Sequence, residues 1–130
     1  MARLAWNTGT ALVLQDGAGL PAEPGQSQMA LVGAPRVVLT GTQVSFGYEE
    51  KDARLAFDRS KRVLEQVGSS MADVAFTHYY PLSRGIAAQV RKIRAEFFNS
   101  AHPPAGSMLL FESLPSMDAG FAIDMVAVKP

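Results

Sequence analysis

Asp124 is the most informative residue in this chain. It sits in the run Phe121-Ala122-Ile123-Asp124-Met125-Val126-Ala127-Val128. As a β-strand, that run puts Phe121, Ile123, Met125 and Ala127 on one face and Ala122, Asp124, Val126 and Val128 on the other. A lone carboxylate in mid-strand among apolar neighbours is costly to bury unpaired. Three readings follow. Asp124 lies on an edge strand in water, or it is capped by backbone N–H groups, or it lines a pocket where it holds or delivers a proton or orients a water.

Other signals are weaker. Gly17-Ala18-Gly19-Leu20-Pro21-Ala22 has the lettering of a dinucleotide fingerprint, but prolines follow at once and no βαβ unit surrounds it, so it reads as a loop. His78 and His102 are the only histidines, with no pair at ligand spacing, so no metal site and no cofactor is expected. No Gly-x-Ser-x-Gly elbow supports a serine triad. The cluster Arg84, Arg91, Lys92 and Arg94 reads as the solvated face of an amphipathic helix.

Elements of ordinary size must position these groups. The 130 residues, 13.9 kDa, suit one domain spanning 1–130. Hydrophobic residues are 48% of the chain, which excludes disorder, and charged residues only 18%, which leaves little to solvate a second apolar face. Twelve basic residues balance twelve acidic ones, so the counterion-release drive toward nucleic acid is missing. The absence of cysteine removes disulfides, thiol catalysis and Cys-based metal centres. No run of 18 apolar residues predicts a membrane span, and Met1–Asn7 lacks the apolar stretch of a signal peptide. A soluble cytoplasmic protein is the expectation, with no nucleic-acid or membrane partner.

Ala11–Leu14 reads as a short strand after an Asn7-Thr8-Gly9 turn, and 16–28 as a turn-rich loop. Val37–Val44 is β-branched and predicts one strand, with Gly41 marking a bulge or a close backbone approach. Ala53, Ala56, Phe57, Ser60, Val63, Leu64 and Val67 recur at helical steps over 51–67, with Gly68 at the C-cap. Residues 73–80 alternate, putting Val74, Phe76, His78 and Tyr80 on one face. A second helix over 86–98 has the stripe Ile86, Val90, Ile93 and Phe97. Two strands, 107–113 and 121–128, close the chain. The order predicts an α+β domain of two layers, a mixed sheet covered on one face by two helices. The uncovered face, short of charge, predicts an oligomer.

From about residue 26 to residue 130 the chain resembles the Rid family, the reactive intermediate deaminases also called YjgF proteins. The likeness rests on Val37-Val38-Leu39-Thr40-Gly41-Thr42, on Ala56–Gly68 followed by Met71-Ala72-Asp73-Val74, on Phe97-Phe98, on Pro104-Ala105-Gly106-Ser107, on Leu114-Pro115, and on Ile123–Val128. The resemblance implies the chorismate-mutase-like fold and a homotrimer with clefts between subunits. It also implies hydrolysis of enamines or imines, such as 2-aminoacrylate, to 2-oxo acids and ammonia without a metal.

On this resemblance Asp124 stands where the family has a water-positioning Glu, and Thr40 where it has a Ser. Gly41, Ala105, Gly106, Met108 and Gln26 would line the substrate site, with Thr40 and Asp124 as its catalytic pair. The chain departs from the pattern at Gly106, where the family's Arg grips the substrate carboxylate. It departs again at Gln26, for an aromatic residue, and at Met108, for a residue that is often Cys. Losing a charge partner costs about 2–5 kcal/mol of binding. Two functions are therefore expected: a Rid-like hydrolase of small imines or carbonyl compounds, or a non-catalytic trimer that binds a small metabolite or a partner enzyme. RNA cleavage is disfavoured by zero net charge and the want of a histidine pair.

Overall fold

A capping box opens helix α1 (Glu50–Gln66), where the Glu49 N–H donates to Asp52 Oδ2 at 3.1 Å. The helix ends at Gly68, whose φ of +77° is the left-handed conformation a C-cap needs. Ala53, Ala56, Phe57, Ser60 and Leu64 are buried as the spacing predicts, whereas Val67 lies past the last turn and is exposed. Helix α2 (Arg84–Phe97) starts where Ser83 Oγ accepts the Ile86 N–H at 3.2 Å. These boundaries come from a computed structural model, which describes residues 12–19, 21, 24–114 and 116–129. The expected Asn7-Thr8-Gly9 turn, with Ala11, Leu20, Ala22 and Pro115, lies outside the described residues.

Strands β1 (Leu12–Gln15) and β2 (Met29–Val32) form a separate antiparallel pair. The second of them went unread because Met29-Ala30-Leu31-Val32 has no polar–apolar alternation and only one β-branched residue. The main sheet contains β3 (Val37–Leu39), β4 (Gln43–Phe46), β5 (Val74–Pro81), β6 (Ala105–Met108) and β7 (Ala119–Val128). β7 lies inside it, antiparallel to β5 on one edge and to β3 and β4 on the other, while β6 runs parallel to β5 at the far edge. Segments β4-α1-β5 and β5-α2-β6 are crossovers that advance in one direction across the sheet, so both helices lie on one face. This is the two-layer α+β arrangement read from the element order.

Three local expectations change. The single strand over 37–44 breaks at Thr40–Thr42 into β3 and β4, which share β7 as partner. Gly41 marks that break and no close approach, since a Cβ there would meet no atom within 4 Å. Strand 107–113 starts at Ala105 and stops at Met108. On β5 the pairing shifts between Val74 and Phe76, so Val74 turns into the core beside Ala127 while Phe76, His78 and Tyr80 stay on the other face.

Phe57 anchors the core between sheet and helices. Its ring lies 5.1 Å from Phe97, 5.8 Å from Phe121 and 6.1 Å from Tyr79, centroid to centroid. The opposite sheet face carries no helix. Val37, Leu39, Phe46 and Leu109 are exposed along or beside it, Leu39 at 71%. No helix among the described residues is long and apolar enough to cross a membrane.

Candidate functional site

The register of β5 against β7 puts His78 directly opposite Asp124 on the open face. Cross-strand partners share a face and lie close enough for side chains to meet. His78 Nδ1 is 2.7 Å from Asp124 Oδ1, and the Tyr80 hydroxyl donates to Asp124 Oδ2 at 3.1 Å. Both carboxylate oxygens are thus engaged by side chains from β5. Two of the three readings of Asp124 fall away: among the described residues it is neither bare in water nor capped by backbone, being 24% exposed and held by an imidazole and a phenol.

The aromatic residues of β5 fix the ring orientations. His78 lies between Phe76, 4.7 Å away between centroids, and Tyr80, parallel within 3° at 6.1 Å. Phe111 packs edge-on against Tyr80 at 5.1 Å. Burial, then the hydrogen bond and charge of Asp124, hold the Tyr80 phenol above its ordinary pKa, so it stays a proton donor at neutral pH. His78 remains 40% exposed, and among the described residues nothing bonds to its Nε2. With Asp124 ionised, the short contact requires the proton on Nδ1. That leaves the Nε2 lone pair free to take a proton from water.

Within one chain the site residues expected from sequence fall into separate places. Ala105 pairs with Phe76 and so belongs to the open face, one strand from Asp124. Thr40 sits where β3 breaks; its N–H donates to the Met125 carbonyl and its Oγ1 accepts the Met125 N–H at 2.8 Å, standing in for a backbone carbonyl. The hydroxyl proton of Thr40 is left to donate. Gly41 follows it, exposed. Gly106 and Met108 pair with Thr77 and Tyr79 and so belong to the helix-covered face. Ser27 bridges in parallel to Ala105 at the free edge of β6, which aligns Gln26 with Pro104. Gln26, Gly106 and Met108 line one cleft with Arg91 and Arg94 of α2.

Gly106 is confined by its neighbour. A Cβ there would lie 2.7 Å from Thr77 Oγ1 and 3.1 Å from the Thr77 carbonyl oxygen, and Thr77 is itself buried. Gly106→Ala is therefore expected to destabilise the protein by about 1–3 kcal/mol. Gly41→Ala, free of such contacts, is expected to leave stability unchanged within about 0.5 kcal/mol. Thermal melts of the two variants check this contrast.

Sequence reasoning missed His78, Tyr80 and Arg94. The alternation of 73–80 had already placed His78 and Tyr80 together, but only the β5–β7 register joins them to Asp124. Arg94, taken with Arg84, Arg91 and Lys92 as a solvated face, is in fact buried at 5% exposure, while the other three are exposed. Its position four residues after the buried Val90 was the available signal. Among the described residues, no three of His, Cys, Asp and Glu converge on a point that could hold a metal.

No protein-family model matches the chain, and no curated protein matches it. Solved structures do. The chain is similar to the conserved Rid family protein YyfB of Yersinia pestis, whose function is unknown, with TM-score 0.84 and 20% identity over 92% of this chain and 100% of that one. It is also similar to a YjgF family member from Neisseria meningitidis, with TM-score 0.67 and 16% identity over 92% and 95% of the two chains. The E. coli protein TdcF, solved with bound serine, aligns with TM-score 0.65 and 20% identity over 89% and 94%. The chain has the fold of the Rid/YjgF proteins.

Proposed function

We propose that the chain is a divergent Rid/YjgF family member that hydrolyses an imine, an enamine or a related small carbonyl compound at the His78–Asp124 pair. The observation that carries this reading is the 2.7 Å contact between His78 Nδ1 and Asp124 Oδ1 on an open sheet face. The serine bound to TdcF, a small amino acid, supports a substrate of that size.

In this reading Asp124 is a positioning residue. It holds the imidazole in the tautomer that presents Nε2 as acceptor and stabilises the imidazolium that forms. His78 Nε2 takes a proton from water as the oxygen bonds to the C=N carbon and the π pair moves to nitrogen. The imidazolium then protonates that nitrogen, which gives a neutral amino alcohol and returns His78 to its starting form. The hydroxyl proton passes through His78 to the amine as the carbonyl forms, and the C–N bond breaks with its electron pair leaving on ammonia. An enamine enters the same route as its imine tautomer, once its N–H proton has moved through water to the β-carbon.

The apolar sheet face that carries His78 would be covered in a homotrimer, and the site would then lie at a subunit boundary. Light scattering is expected to give about 42 kDa, three times 13.9 kDa. A stable species of 13.9 kDa at micromolar concentration would contradict the assembly.

A second reading, a non-catalytic trimer that binds a small metabolite or a partner enzyme, is favoured by one observation: β6 carries Gly106 where the resemblance expects a guanidinium. Ammonia release from 2-aminoacrylate generated in situ separates the two. The hydrolase reading expects wild type to exceed Asp124→Asn. Equal rates at the uncatalysed level would leave the binding reading.

A further inference from the structure

We propose that Arg94, with Arg91 one turn before it, forms a binding site for a small carboxylate in the cleft beside Gly106. This inference goes beyond the hydrolase reading and does not depend on it, because the cleft is built on Arg91 and Arg94 of α2 at the free edge of β6 and not on His78 or Asp124. Arg94 is 5% exposed, and its Nη2 donates to the Pro24 carbonyl at 2.7 Å. Gly25, with φ +78°, passes so close that a Cβ there would lie 2.9 Å from Arg94 Nε. The Tyr79 hydroxyl is a further neighbour of the guanidinium. These fix the side chain but supply no negative charge. Among the described residues no carboxylate pairs with Arg94 or with Arg91.

Among the described residues Arg94 is thus a buried cation without an anion, an arrangement with an unrepaid desolvation cost, and a second guanidinium one turn away adds repulsion. An anion in the cleft removes both. The cleft is about 320 Å³ in volume and lined by Gln26, Arg91, Arg94 and the β6 edge from Gly106 to Leu109, with no acidic residue among the described ones. A guanidinium offers a planar fork that matches a carboxylate. The Gln26 amide suits a polar group beside the carboxylate, and Met108 suits a short aliphatic one.

The test is calorimetric titration of the full chain with pyruvate, with inorganic phosphate as a separate arm. Wild type is expected to bind pyruvate more tightly than phosphate. Arg94→Lys, which keeps the charge and loses the fork, is expected to weaken pyruvate binding by roughly tenfold or more. Gln26→Glu, which places a carboxylate in the cleft, is expected to abolish pyruvate binding and raise the melting temperature. That variant decides the matter if Arg94→Lys does not fold. No heat with pyruvate in wild type, tighter binding of phosphate, or unchanged pyruvate affinity in Gln26→Glu would each overturn the proposal.

Discussion

Asp124→Asn is expected to lower the rate of imine hydrolysis by roughly 10²–10⁴-fold while the protein stays folded. The amide has nearly the shape of the carboxylate, so packing against β5 is preserved. Its chemistry is inverted. An Asn NH₂ facing His78 Nδ1 makes that nitrogen an acceptor and moves the imidazole proton to Nε2, where it blocks the uptake of a proton from water. The hydroxyl of Tyr80, now 3.1 Å from Asp124 Oδ2, can still donate to an amide oxygen. The loss should therefore fall on kcat, with KM nearly unchanged. Asp124→Glu restores a carboxylate and is expected to recover part of the rate, which a merely structural residue would not require. A wild-type rate retained in Asp124→Asn, with an unchanged melting curve, would remove the carboxylate from the reaction.

Phe57→Ala is expected to cost about 3–5 kcal/mol, at the upper end of what truncating one core side chain can do. Phe57 is fully buried and, alone among the described rings, meets Tyr79 and Phe121 on the sheet and both Phe97 and Phe98 at the end of α2. Its removal leaves a void that those rings cannot close without leaving their own contacts. Against a typical total of about 5–15 kcal/mol, a loss of that size moves the urea midpoint far down at an unchanged slope. The measurement is urea denaturation at fixed protein concentration. A shift equivalent to under about 1 kcal/mol would show that the core repacks and that Phe57 is not its anchor.

Much of this fold was legible in the chain because its signals are local. The three- and four-residue recurrence from Ala53 to Leu64 and the glycine at 68 specify α1 almost to the residue. Alternation from Phe76 to Tyr80 specifies the faces of β5, and the run ending at Val128 specifies β7. The elements that went unread depend on partners distant in sequence. Thr40–Thr42 looks like continuous strand, yet β3 and β4 part there because Thr40 turns its side chain into the ladder with Met125. Val74 reads as a neighbour of Phe76 until the shift in pairing against β7 turns it inward.

The site was half legible for the same reason. The placement of Asp124 among apolar residues pointed to a partner, but the identity of that partner depends on register, which no single strand encodes. Gly106 stood out only through the resemblance, which expects a guanidinium at that position. That Thr77 crowds the position, and that Arg94 lies buried against the same cleft, follows only once β5, β6 and α2 are packed together.

If His78, set by Asp124, is the base of a hydrolytic site, its removal must abolish the reaction. The most direct measurement is ammonia release from 2-aminoacrylate generated in situ, followed for wild type, for His78→Gln and for buffer alone. Wild type is expected to run well above buffer, and His78→Gln to fall back to the buffer rate with its fold intact. A wild-type rate equal to buffer, or a His78→Gln rate equal to wild type, would contradict that role.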